Sequence, residues 1–162
     1  CGKRRTIGGA RKRIVGGVEA SPGDWPFLAA ILGGPEEVFY CAGVLVADQW
    51  VLTASHCVGN HSDVNGWTIQ LGITRRRAHA YYGQKVKVRR VVPHPLYNIG
   101  LAVQVRYHEC RHRLTVCLWC AVGGASALPR AASPVCLPPA ERALAAGTRC
   151  TVIGWGKRDD KD

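Results

Sequence analysis

His56 stands directly before Cys57, after the apolar run Trp50-Val51-Leu52-Thr53-Ala54, and Cys41 lies sixteen positions before Cys57. A neutral imidazole accepts a proton near physiological pH, so a histidine held in a short turn after a strand suits general-base chemistry. A disulfide next to it would fix the turn that aims the ring. A second chemical feature is Arg13-Ile14-Val15-Gly16-Gly17. A cut after Arg13 would free an α-amino group on Ile14. A buried ammonium needs a buried carboxylate, so such a terminus can work as a conformational switch, and the glycines leave it free to swing inward. Taken singly, His56 could be a packed structural histidine and Ile14 the start of a strand after a basic linker.

The elements that must position these residues are short strands. The chain is 162 residues long, 47% hydrophobic, with 9 Pro, 19 Gly and only 2 Phe, and its apolar runs are brief and broken by turns. That rhythm predicts an all-β domain. Strands are predicted at 27–32, 39–46, 49–52, 67–71, 85–92 and 150–153, with turns at 21–24, 33–36, 47–48 and 93–97. Residues 1–13 are basic and lack apolar periodicity, so they read as a separate segment ahead of the domain that begins at Ile14.

Eight cysteines point to an oxidising compartment. Asn60-His61-Ser62 fits an N-glycosylation acceptor, which makes Asn60 a candidate glycan site. No run of 18 apolar residues occurs, and the opening Cys1-Gly2-Lys3-Arg4-Arg5 is not a signal peptide, so a secretion signal is expected upstream. The net charge of +11 raises nucleic acid as a partner. Its distribution argues against that, because Lys3, Arg4, Arg5, Arg11, Lys12 and Arg13 lie in the first thirteen positions and Arg75-Arg76-Arg77 in one loop.

Tyr40-Cys41-Ala42-Gly43-Val44-Leu45, Trp50 to Cys57, Pro134-Val135-Cys136-Leu137-Pro138-Pro139 and Gly154-Trp155-Gly156, together with the Ile14 motif, resemble the chymotrypsin/trypsin family of serine endopeptidases. The resemblance covers 1–99 and 134–162. Trp25 to Pro35 and Val152 to Arg158 resemble most closely the protease domains of insect corin-type enzymes, relatives of the atrial natriuretic peptide-converting enzyme. It implies a double β-barrel, of which this chain carries the N-terminal barrel and the start of the second. It also implies a secreted enzyme or the extracellular domain of a membrane-tethered one. His56 would be the triad base and Arg13–Ile14 the zymogen cleavage bond. Cys41 would pair with Cys57, and Cys1 with Cys136, keeping the activation arm on the domain after the cut. Cys150 would need a partner further along. No cofactor and no metal are implied. The partners implied are a protein or peptide substrate, an activating trypsin-like protease and a protease inhibitor.

The sequence departs from the family in two places. The nucleophile belongs in a Gly-Asp-Ser-Gly-Gly segment beyond Gly154-Trp155-Gly156, so the serine, its oxyanion donors, the carboxylate for Ile14 and the specificity pocket would lie past Asp162. By itself the 162-residue chain is expected to be inactive. The triad aspartate belongs between His94 and Pro134, usually in Asp-Ile-Ala-Leu, and neither that aspartate nor such a strand is read there. Written with all synonymous codons, Glu109 to Thr115 read one nucleotide on permits Asn-Ala-Asp-Ile-Ala-Leu. Trp119 to Leu128 then permits Gly-Val-Arg-Leu-Glu-Glu-His-Leu. Residues 101–133 therefore read as a segment in the wrong frame, or mis-spliced. Taken literally, this text should expose apolar neighbours of Val44, Leu52 and Val91 and fold poorly. Its His108, Cys110, His112, Cys117 and Cys120 offer a zinc reading instead, weakened by a compartment in which thiols form disulfides. A non-catalytic homologue that kept the barrel as a binding module is the other alternative. The intact His56 and cleavage motif lean against it.

Overall fold

The computed structural model describes residues 1–3, 17–58, 66–76, 83–92, 116–122, 128, 131–139 and 143–156. Six strands close on themselves in the order β1-β2-β3-β6-β5-β4: β1 (Leu28–Gly33), β2 (Val38–Ala47), β3 (Trp50–Ala54), β4 (Thr68–Leu71), β5 (Gln84–Val92) and β6 (Val116–Val122). All neighbouring pairs are antiparallel. Closure removes the free edges that would otherwise template aggregation.

Period-two patterning puts one face of each strand into the barrel. On β5, Val86 and Val88 are buried while Lys85, Lys87 and Arg89 are exposed. Ile31, Leu45, Val51 and Ile69 are fully buried, and Leu71, Val86 and Val88 join them in one core. Each such aliphatic side chain contributes about 1.5–3 kcal/mol relative to exposure. Gly43 lets β2 and β3 approach: a Cβ there would stand 2.6 Å from Val51 Cγ1 and 3.0 Å from the Leu52 carbonyl oxygen. Buried Thr53 satisfies its hydroxyl by donating to the Ala42 carbonyl at 2.7 Å.

The five N-terminal strands lie within two residues of their predicted bounds. Two expectations do not hold. Val116–Val122 forms β6, between β3 and β5, where sequence reasoning predicts no strand. Val-Cys-Leu-Trp-Cys-Ala-Val is rich in β-branched and aromatic residues, which suit a paired strand whatever residues precede it. Beside β6, Leu52 of β3 and Val91 of β5 are half-buried. Residues 150–153, by contrast, form no strand, and Val152 is 93% exposed. Among the described residues nothing pairs with them, and β-propensity without a partner does not make a strand.

The segment 131–136 crosses the barrel, with Ser133 N–H donating to the Pro26 carbonyl at 3.0 Å and Val135 N–H to that of Leu45 at 2.8 Å. Cys1 is bonded to Cys136, and Gly2 N–H donates to the Pro134 carbonyl at 2.9 Å. Further on, Trp155 returns to the barrel. Its Nε1 donates to the Thr74 carbonyl at 2.9 Å and its ring meets Phe39 edge-on at 5.8 Å.

The β1–β2 turn is pinned by Glu37, which adopts a left-handed conformation at φ 48°. Its carboxylate accepts from Lys85 and from Thr68 Oγ1 at 3.2 Å, and lies 3.7 Å from Lys87 Nζ. The hydrogen bond from Lys85 holds the Glu37 carboxyl below its ordinary value of 4.5, outweighing the opposing effect of burial, with the Thr68 bond and the Lys87 charge adding to it. A carboxyl whose folded value is lowered stabilises the fold above its unfolded value and loses that contribution as pH falls through the folded one. Glu37→Gln is therefore expected to lower stability at pH 7 and to have progressively less effect as pH falls below about 4.5. Denaturant titrations of both proteins at pH 7 and in the acid range check this.

Candidate active site

β3 ends at Ala54 and the chain turns at once into a single 3-10 turn, Ser55–Cys57. The turn is held from below. Cys57 is 3% and Val58 6% exposed, so both are anchored in the interior. Cys57 is bonded to Cys41 of β2, with their Cα atoms 6.0 Å apart. His56, between an anchored strand and an anchored cysteine, has its side chain exposed at the barrel surface. A base that must reach a substrate-bound proton needs this combination of a fixed backbone and an accessible ring.

The Cys41 and Cys57 sulfurs and an imidazole nitrogen of His56 lie within 4.8 Å of one another. This is not a thiolate-imidazole metal set, because the sulfurs are bonded to each other and carry no thiolate charge.

β6 reaches this corner from the other side. It runs antiparallel to β3, with Trp50 opposite Ala121 and Ala54 opposite Val116. The chain thus enters β6 at the end of β3 that leads into the His56 turn. Sequence reasoning misses this approach of β6 to the His56 turn because it does not anticipate the strand.

Of the predicted site residues, His56, Cys41, Cys57, Cys1 and Cys136 are described, and both expected disulfides are formed. Arg13, Ile14 and Asn60 lie outside the described residues, as do His108, Cys110 and His112. Cys117 and Cys120 sit on β6. Cys150 is exposed and has no disulfide partner among the described residues.

The sequence profile of the trypsin family matches residues 14–162. Serine protease 56 of Homo sapiens is 37% identical over 160 residues, covering 96% of this chain and 24% of its own length. The hepatocyte growth factor activator serine protease of Mus musculus is 32% identical over 164 residues, 99% of this chain and 23% of its own. Transmembrane protease serine 5 of Homo sapiens is 33% identical over 146 residues, 89% of this chain and 29% of its own. The chain spans about a quarter of the length of these relatives. They bear on the family and leave the finer corin-type likeness undecided.

Proposed function

The chain belongs to the trypsin family, and from that premise we propose that it supplies the general base, His56, of an extracellular serine endopeptidase made as a zymogen. The observation that carries the reading is the exposed His56 on its anchored turn, one residue from the Cys41–Cys57 bridge. Proteases of this family act on protein substrates and are activated by other proteases. Here the activating cut falls between Arg13 and Ile14, made by a trypsin-like protease, and a protein inhibitor is a further partner. The location is extracellular, secreted or on a membrane tether, in keeping with two formed disulfides. Asn60 is proposed to carry a glycan there.

In the reaction, His56 takes the proton from the attacking serine hydroxyl and returns it to the leaving amine. The serine, its oxyanion donors and the specificity pocket come from sequence beyond residue 162, so the 162-residue chain is proposed to be inactive by itself. Cleavage after Lys or Arg is the expectation for the whole enzyme. No cofactor is needed for this chemistry.

The triad aspartate is proposed to be encoded across Arg111 and His112, in a segment 101–133 that is read out of frame. Two observations support this. The shifted reading permits Asp-Ile-Ala-Leu, and an aspartate there falls a few residues ahead of Val116 in sequence, whose partner Ala54 leads into the His56 turn.

Sequencing the transcript from the Tyr97 codon to its 3′ end tests the proposal. The expected result is a restored Asp-Ile-Ala-Leu followed downstream by Gly-Asp-Ser-Gly-Gly. A transcript that encodes residues 101–133 in their present frame, or glycine in place of that serine, would overturn it in favour of a non-catalytic homologue.

A further inference from the structure

The outward face of β5 carries Lys85, Lys87 and Arg89 at alternate positions, and Arg90 follows at the irregularity in its pairing with β6. All four are exposed, while Val86 and Val88 point into the core. At about 3.3 Å per residue, Lys85 to Arg89 is a row of charge some 13 Å long with a cation every ~6.6 Å. Like charges on one strand face repel, and the fold does not require them, since the valines and the backbone pairing on both sides already hold β5.

Little on the neighbouring strands neutralises this row. β4 is Thr-Ile-Gln-Leu and contains no acid. Among the described residues the acidic group facing the row is Glu37, which reaches Lys85 and Lys87 from the β1–β2 turn. That leaves one carboxylate against four cations. Lys87 is further oriented by donating to Thr68 Oγ1 at 2.8 Å. At the far end the Arg90 guanidinium stands 5.8 Å from the centre of the Trp50 ring, which sets the plane of its donor fork.

We propose that the outward face of β5 is a binding surface for a linear sulfated glycosaminoglycan of the cell surface or matrix. Three features favour this ligand. The cations form a line rather than a pocket, so the matching ligand carries repeated fixed negative charges along its length. β5 is paired on both sides, so an acidic peptide could not add as a strand and gain the backbone hydrogen bonds on which extended peptides depend. The extracellular location, together with a net charge of +11, places the surface among sulfated polysaccharides rather than nucleic acid. The proposal does not involve His56 and rests on the protease reading only for the extracellular location.

The test is binding of size-defined heparin oligosaccharides to the 162-residue chain over a range of salt concentrations. The slope of log affinity against log salt is expected to fall in magnitude by roughly two in Lys87→Ala/Arg89→Ala, about one for each cation removed. Glu37→Gln, which removes the opposing carboxylate, is expected to raise the salt needed for elution. Lys3→Ala/Arg149→Ala removes the same charge from exposed positions outside β5 and is expected to leave the slope near that of the parent chain. Circular dichroism melts establish that each variant is folded. Equal loss in the control pair overturns the proposal, as does unchanged binding in Lys87→Ala/Arg89→Ala. So does equally tight binding of desulfated heparin, an acidic peptide or a DNA oligomer.

Discussion

His56→Ala, in the domain with its frame restored and the serine-bearing region present, is expected to lower kcat by about 10⁴- to 10⁶-fold with little change in KM. Without the imidazole the serine hydroxyl keeps its proton at neutral pH, and the departing amine has no acid to protonate it. Both barriers rise, while the contacts that bind substrate are untouched. Activity of the variant within tenfold of the parent would show that His56 is only a packed turn residue. The 162-residue chain itself is expected to release no product from a Lys- or Arg-containing peptide substrate. Steady-state kinetics on the three proteins, with active-site titration, decide the matter.

Removing the Cys41–Cys57 bridge is expected to act on stability and on chemistry separately. The bridge joins residues 16 apart, for which chain-entropy reasoning gives about 3 kcal/mol. Cys57 is nearly fully buried, so a Cys41→Ala/Cys57→Ala variant also loses packing under the turn. Denaturant unfolding should show a lower midpoint. In the complete enzyme kcat should fall more than KM, because the turn that aims His56 loses its clamp while the substrate-binding surfaces remain. A midpoint within experimental error of the parent would mean that β3 and the buried Val58 hold the turn unaided.

Much of the barrel is legible in the sequence because its strands declare themselves locally. Lys85-Val86-Lys87-Val88 alternates in the sequence as it does in space, and Leu52 to Cys57 marks the end of β3 and the turn after it. What fails is information that depends on partners. Residues 150–153 have the composition of a strand and, among the described residues, no neighbour to pair with. Val116–Val122 looks like foreign text and nevertheless fills a gap between β3 and β5, because the closed sheet asks for propensity and length at that place more than for a particular motif. The proposed base, His56, is readable from one motif. The proposed aspartate and serine are not, since the first is placed in a segment proposed to be read out of frame and the second is expected beyond residue 162. The cation row on β5 is scattered among other basic residues along the sequence and becomes a surface only once the face of each residue is known.

The Cys1–Cys136 bond has a topological meaning that its local geometry does not reveal. In the uncut chain it joins residues 135 apart and makes a covalent ring of nearly the whole barrel, a constraint on the unfolded ensemble that chain-entropy reasoning values at about 5 kcal/mol. A cut between Arg13 and Ile14 opens that ring without touching the sulfurs. The same bond then closes no ring and only holds the segment ending at Arg13 on the domain. Activation would thus turn a cyclic molecule into a branched one, and the contacts made by the new Ile14 terminus would have to replace the restraint that the ring had supplied.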